Sequence, residues 1–174
     1  IVPARGGSKK VYKKNIKLIA GKPLLAWTID CALNTTIIDH LIVSTDDREI
    51  VQVAEEFGAS VPFLRPQHLA TDTTPDLPVC SHAIHWLEKE KNIKADIIVW
   101  LRPTSPLRTP QDIEDAIALL FETEADGVRS ITQVDHHPYW MKKLSGKIIE
   151  PFLEDANEKI YYQRQMLPPL YRLN

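Results

Sequence analysis

The chain has 174 residues, with 21 Lys and Arg against 23 Asp and Glu for a formal net charge of −2, and it is 44% hydrophobic and 25% charged, as soluble globular proteins are. This charge balance excludes a dedicated nucleic-acid binder, which carries a basic excess, and no apolar run approaches the roughly 20 residues that span a bilayer, so a membrane partner is not expected. The two cysteines, Cys31 and Cys80, lie far apart in apolar stretches without the spacing of a zinc site or a disulfide framework, and read as buried thiols of a reducing cytoplasm. Residue 1 is Ile rather than Met and a glycine-rich segment follows at once, which reads as a trimmed amino terminus and a fragment of a longer protein.

Taken in order, a first strand runs into the segment beginning at Pro3. A helical face follows at Leu25, Ile29, Ala32 and Leu33, then a β-branched strand over 40–44, and a second helical face at Ile50, Val53, Ala54 and Phe57 with Gly58 as its stop. A strand over 61–64, a helix carrying Val79, Ala83, Trp86 and Leu87, a strand over 97–101, a helix carrying Ile113, Ala116, Ile117 and Leu120, and a strand over 128–131 complete the alternation. Pro23, Pro78 and Pro110 each stand near a helix start, where a missing N–H costs little. Strand–helix alternation predicts an α/β class, a three-layer, Rossmann-like arrangement on a largely parallel sheet, with ligands at the carboxyl ends of the strands. From about Asp135 the pattern gives way to His136-His137-Pro138 and a proline-interrupted run at 163–169, so the expected division is a core over 1–134 and an arm over 135–174.

The densest chemical signal is Pro3-Ala4-Arg5-Gly6-Gly7-Ser8-Lys9-Lys10 with Lys13-Lys14-Asn15: five cations between positions 5 and 14, immediately after a strand. Consecutive glycines let backbone N–H groups turn toward an anion, Ser8 adds a hydroxyl, and Arg5 and Lys9 supply the charge a polyphosphate needs. A solvated basic turn is the bland alternative, and the position after a strand argues against it. No G-x-x-x-x-G-K-[ST] and no G-x-G occurs, which excludes a Walker loop and disfavours a dinucleotide site. Asp46-Asp47 could suggest a metal, but one of Thr45, Asp46 and Asp47 as a helix cap, worth about 1 kcal/mol, is the better reading. His136-His137 points its side chains opposite ways if extended and has no third ligand nearby, which favours packing over metal binding.

Together with Val43-Ser44-Thr45-Asp46, Leu64-Arg65-Pro66, Leu69-Ala70-Thr71-Asp72-Thr73, Pro103-Thr104-Ser105-Pro106-Leu107-Arg108, His136-His137-Pro138 and Tyr171-Arg172-Leu173-Asn174, this loop resembles the acylneuraminate cytidylyltransferases (CMP-sialic acid synthetases), block by block over nearly the whole chain. The resemblance implies an enzyme that joins CTP to a nine-carbon 2-keto acid sugar, releasing pyrophosphate with Mg²⁺, in a cytoplasmic homodimer. It assigns Arg5, Gly6, Gly7, Ser8, Lys9 and Asn15 to the triphosphate and ribose, with Arg5 and Lys9 stabilising charge in the reaction. It assigns Arg65 to the cytosine edge, with Thr73 and Asp76 beside the base. Arg102, Thr104 and Ser105 fall to the sugar, as do Lys142 or Lys143, Arg164 and Arg172 from an arm that reaches a neighbouring subunit. The family's metal-binding aspartates are expected beyond Asn174, so no metal ligand is assigned within these residues. The runner-up is a same-fold enzyme for another acidic sugar such as 3-deoxy-octulosonate, and the alternative of another class is a non-catalytic nucleotide-binding module.

Three residues depart from the family pattern. Lys10 stands where a glycine is usual, Asp76 where serine is frequent, and Arg102 where a glutamine normally contacts the sugar. Asp76 is expected to accept a hydrogen bond from the cytosine amino group. Arg102 is expected to contact the sugar, with a salt bridge to Asp126 or Glu124 as its structural alternative; the bland reading of Arg65 is an exposed loop arginine.

Overall fold

The computed structural model describes residues 1–154 and 160–173. In chain order the strands are β1 (Val2–Pro3), β2 (Leu18–Ile19), β3 (Lys22–Pro23), β4 (Val43–Ser44), β5 (Ile131–Gln133), β6 (Lys142–Ser145), β7 (Ile148–Pro151) and β8 (Tyr171–Leu173), and the helices are α1 (Leu24–Leu33), α2 (Arg48–Glu56), α3 (Asp76–Lys91) and α4 (Pro110–Thr123). Two compact units divide the chain, Ile1–Ile117 and Ala118–Asn174.

In the first unit, β1 and β4 pair in parallel, Val2 opposite Val43 and Pro3 opposite Ser44. Segment 60–65 flanks β4: Val43 donates to the Ser60 carbonyl at 2.9 Å and the Arg65 N–H to the Thr45 carbonyl at 2.7 Å. On the other side of β1, Ile1 donates to the Val99 carbonyl at 2.8 Å and its own carbonyl accepts from Leu101 at 3.0 Å. One residue bonded to two residues that are two apart is the parallel pattern. The lateral order is therefore 60–65, β4, β1, 99–101, which is third, second, first, fourth in sequence. The direction of progression reverses at β1, and such a switch point opens a crevice at the strand carboxyl ends.

The sequence calls for longer strands than this. The strand expected over 61–64 is present only as isolated bridges of segment 60–64, Ile42 with Ser60 and Thr45 with Leu64, because Pro62 between them has no N–H to give. Segment 97–101 is held to β1 through Ile1 alone. The next two rungs in that register would need N–H groups from residues 3 and 103, and both are proline. The largely parallel sheet is thus present as a short centre. The strand expected over 128–131 lies at Ile131–Gln133 instead and runs antiparallel to β8.

The helices lie where their apolar spacing puts them. Leu25, Ile29 and Ala32 of α1, Ile50 and Ala54 of α2, and Ile113 and Ile117 of α4 join Val2, Val43 and Leu101 in one buried cluster. Asp47 caps α2, its Oδ1 accepting from the N–H of Glu49 at 2.8 Å and of Ile50 at 3.4 Å, so of the three candidate caps it is Asp47 that acts. Gly58 ends the helix at φ +86°, a conformation that a side chain would strain. Cys31 is buried, whereas Cys80 is only half-buried, which corrects the expectation of two buried thiols.

The second unit is built on two antiparallel ribbons. In β5–β8, Thr132 stands opposite Arg172. In β6–β7, Ser145 stands opposite Ile148, leaving Gly146 and Lys147 as a two-residue turn with Gly146 at φ +62°, the glycine-first requirement of a type II′ hairpin. His137 is 5% exposed, accepts from the Tyr139 N–H on Nδ1 at 3.2 Å and meets the Tyr139 ring edge-on. His136 is exposed, and among the described residues no cluster of three or more His, Cys, Asp or Glu could hold a metal. The packing reading fits His137 and does not extend to the exposed His136.

Candidate active site

The loop after β1 is fixed from two sides. Asn15, 6% exposed, donates from Nδ2 to the Arg5 carbonyl at 2.9 Å, and Asp46 accepts from the Gly6 N–H at 2.9 Å. Asp46 is therefore a loop anchor, and the Gly6 N–H, expected to face a phosphate, is already bonded. Gly6 also packs closely: a Cβ there would lie 2.5 Å from Asp47 Oδ2, while one on Gly7 would meet nothing within 4 Å. Lys13 takes the left-handed conformation at φ +49° and pairs with Glu49 at 2.5 Å, which draws one of the five cations away from any ligand.

At the switch point lies a cavity of about 260 Å³. The loop after β1 contributes Arg5, Ser8, Lys14 and Asn15 to its lining. Arg65 and Asp76 form other parts of the wall, and Trp100, Arg102 and Thr104 come from the end of segment 99–101 and the turn beyond. Residues separated by up to 99 positions thus converge because the two loops emerge from adjacent parallel segments.

Arg65 is 4% exposed, which overturns the bland reading of an exposed loop arginine. Its Nε donates to Ser44 Oγ at 3.0 Å, one terminal nitrogen donates to the Ser44 carbonyl and the other to the Leu69 carbonyl at 3.5 Å. A guanidinium has five N–H groups, so two remain for a ligand once these three bonds are made. Burial holds its pKa below the ordinary arginine value, and an arginine stays charged through such a shift.

Three further cations at the site, Arg5, Lys9 and Arg102, meet carboxylates from one short segment. Arg5 pairs with Asp72 at 2.6 Å, and Lys9, with 80% of its side chain exposed, pairs with the other oxygen of the same carboxylate. The Lys9 and Arg5 hydrogen bonds, in that order, hold the Asp72 pKa below the usual carboxylate value. Arg102 pairs with Asp76, the first residue of α3. The structural alternative of a bridge from Arg102 to Asp126 or Glu124 is thereby corrected, and the Asp76 carboxylate expected beside the base is engaged by Arg102.

Several assigned residues stand outside the cavity lining. Gly6, Gly7, Lys9, Thr73 and Ser105 are not part of it. Thr73 approaches Thr71 at 3.4 Å between hydroxyls, and the Ser105 carbonyl accepts from the Arg108 N–H at 3.3 Å. Lys142, Lys143, Arg164 and Arg172 belong to the second unit: Lys143 pairs with Glu150 across the β6–β7 ribbon at 3.6 Å, Arg164 opens a 3₁₀ turn, and Arg172 lies on β8. Asn174, which ends the last motif, lies outside the described residues.

Trp100 escaped the sequence reading. It lines the cavity, and its Nε1 is buried with no partner among the described residues. The available signal was the period of two in an extended segment, which puts residue 100 on the same face as Arg102. For Mg²⁺ the described residues offer a poor fit: the two carboxylates lining the cavity, Asp72 and Asp76, are both paired with cations.

A family profile described as cytidylyltransferase matches residues 1–174. CMP-N,N'-diacetyllegionaminic acid synthase of Legionella pneumophila is 35% identical over 176 aligned positions, covering all of this chain and 73% of that protein. Pseudaminic acid cytidylyltransferase of Campylobacter jejuni is 35% identical over 136 positions, 78% of this chain and 58% of its own length. N-acylneuraminate cytidylyltransferase of Streptococcus agalactiae is 33% identical over the whole chain, which spans 41% of that relative. Among solved structures, a CMP:2-keto-3-deoxy-manno-octonic acid synthetase complexed with CTP matches with a TM-score of 0.66 at 18% identity, covering 99% of this chain and 69% of that one, a likeness of fold. The profile match over the full chain, the curated relatives above 30% identity and the loop-lined cavity at the switch point agree: the chain belongs to the cytidylyltransferase family of nucleotidyltransferases.

Proposed function

We propose that the protein transfers CMP from CTP to a nine-carbon 2-keto acid sugar of the nonulosonic class, releasing pyrophosphate. The observation that carries this reading is the convergence in one cavity of the cationic loop (Arg5, Ser8, Lys14, Asn15), the buried arginine Arg65 and the separate polar wall of Arg102 and Thr104. The curated relatives are named for legionaminic, pseudaminic and N-acylneuraminic acids, which supports the sugar class.

In this reading the anomeric hydroxyl of the sugar attacks the α-phosphorus in line. An O–P bond forms, the bond to the β-phosphate oxygen breaks, and the hydroxyl proton leaves to solvent. The protein supplies position and charge rather than a covalent nucleophile. Arg5 and Lys9 hold the phosphates, with Ser8 and the Gly7 N–H as hydrogen-bond donors. Lys14 at the cavity lining adds a further cation. Arg65, braced by Ser44 and Leu69, turns its two remaining N–H groups to the cytosine edge, whose O2 and N3 are acceptors. Mg²⁺, for which the described residues offer no unpaired carboxylate at the cavity, would supply neutralisation of phosphate charge if held by residues outside them.

The arm carries the proposed homodimer and the cations Lys142 or Lys143, Arg164 and Arg172 of a shared sugar pocket. Its ribbons expose Leu144, Ile148 and Ile149 at 67–74%, apolar area suited to an interface. The division into a nucleotidyltransferase core over 1–134 and this arm, and a cytoplasmic location, belong to the same proposal.

The test is pyrophosphate release by the full-length protein, with CTP, UTP, ATP and GTP crossed against legionaminic, pseudaminic, N-acetylneuraminic and 3-deoxy-octulosonic acids. Release with CTP and a nonulosonic acid is expected. Preference for the octulosonic acid would shift the reading to that sugar, and CTP binding without turnover on any sugar would leave a binding module.

A further inference from the structure

The segment 71–76 carries two carboxylates, and both are spent on cations at the cavity. Asp72 spans Arg5 and Lys9, which come from the glycine loop 63 to 67 positions earlier, and Asp76 holds Arg102, 26 positions later. The segment is itself organised: the Thr71 and Thr74 hydroxyls lie 2.6 Å apart, the Thr71 N–H donates to Thr74 Oγ1 at 3.2 Å, and Thr74 Oγ1 approaches the His68 carbonyl at 3.4 Å. The carboxylates are therefore presented by a structured turn. Neither pair is deeply buried: the side chains are 31–32% exposed for Asp72 and Arg5, and 47–51% for Asp76 and Arg102. Pairs this exposed are weak and exchangeable.

Each carboxylate sits on cations that would also attract an anionic ligand. A carboxylate accepted at once by an arginine and a lysine presents oxygens much as two oxygens of a phosphate would, and the fork of Arg102 on a carboxylate suits an acidic sugar equally. We propose that segment 71–76 is an internal anion strap. Asp72 stands in for the polyphosphate on Arg5 and Lys9, Asp76 stands in for the sugar carboxylate on Arg102, and each is displaced when its ligand arrives. The strap cancels two of the positive charges at the empty site and makes affinity for each substrate a competition against a tethered carboxylate. This rests on the cytidylyltransferase reading for the identity of the ligands, while the competition itself concerns anions of any source.

The two carboxylates separate the two subsites experimentally. In the full-length protein, Asp72→Asn keeps the size of the side chain and removes its charge. It is expected to tighten binding of both CTP and inorganic tripolyphosphate, measured calorimetrically, by roughly twofold to fivefold, the range that an exposed ion pair supports. The gain should shrink as salt is raised from low to physiological ionic strength. Asp76→Asn is expected to lower the KM of the acidic sugar by a similar factor. Weaker or unchanged tripolyphosphate binding in Asp72→Asn would overturn the strap, as would a raised sugar KM or weakened CTP binding in Asp76→Asn, which would make Asp76 a positioning or base-binding residue. Tighter tripolyphosphate binding in Asp72→Asn with no CTP turnover in the wild type would instead sink the cytidylyltransferase reading and leave the strap standing.

Discussion

The two adjacent glycines of the loop after β1 differ in what surrounds them, and alanine at each position makes the difference measurable. Neither has a positive φ, so backbone strain does not enter. At Gly6 an added methyl would sit 2.5 Å from Asp47 Oδ2 and 2.7 Å from Asp47 Cβ, well inside contact distance. Asp47 cannot simply swing away, because its other oxygen holds the first turn of α2. Forcing a methyl into a packed site costs about 1–3 kcal/mol, and loss of the cap adds about 1 kcal/mol. Reduced freedom of the unfolded chain returns roughly 0.4–1 kcal/mol. The net expectation for Gly6→Ala is a loss of about 1–3.5 kcal/mol, or a fall in Tm of roughly 2–14 °C at about 2–4 °C per kcal/mol for a chain of this size. Gly7→Ala meets nothing and should stay within about 0.5 kcal/mol of wild type. Urea denaturation and calorimetric melting of the two variants decide the matter. Equal stability of the two, in either direction, would refute the close approach of Gly6 to Asp47 and with it the account of how the loop is held.

Two further outcomes follow from buried groups. Arg65→Met removes the donors to the Ser44 and Leu69 carbonyls at a 4% exposed position and should cost about 1–3 kcal/mol by urea denaturation; stability within about 0.5 kcal/mol of wild type would contradict the bracing role. Burial, chiefly, with the charges of Arg65, His68 and His85, holds the His82 pKa below the ordinary histidine value of about 6.5. The folded state thus binds the proton less readily than the unfolded state, so the contribution of His82 is complete above about pH 6.5 and is lost as pH falls through and below that value. A urea midpoint followed from pH 7.5 to 5 should fall less steeply in His82→Gln, and identical slopes would remove His82 as the cause.

The helices were legible because an apolar face every 3.6 residues survives any tertiary context: Ile50 and Ala54, or Ile113 and Ile117, can only be buried on one side. The strands were harder to read. Apolar runs over 61–64 and 97–101 carry the signature of strands, yet ladder formation depends on individual N–H groups, and Pro3, Pro62 and Pro103 withhold them at the positions that count. The cations of the loop after β1 were legible from their density. Their partners were not, since an ion pair between Lys9 and Asp72 or Arg102 and Asp76 is set by the path of the chain between them and leaves no local trace. For the same reason the burial of Arg65 left no local trace: only its resemblance to the family motif singled it out, and the bonds to Ser44 and Leu69 that enclose its head group come from the fold.

The two prolines that end the pairing of β1 with segment 97–101 also shape what can enter between them. Past the Ile1–Leu101 rung the two segments lack matched donors, so they cannot zip further, and the gap at their carboxyl ends does not close on itself when empty. A ligand arriving there displaces side chains and solvent but breaks no backbone ladder. The gap is therefore a property of two imino acids, and the turn beyond Leu101 can vary in sequence without disturbing the hydrogen bonding that holds the core together.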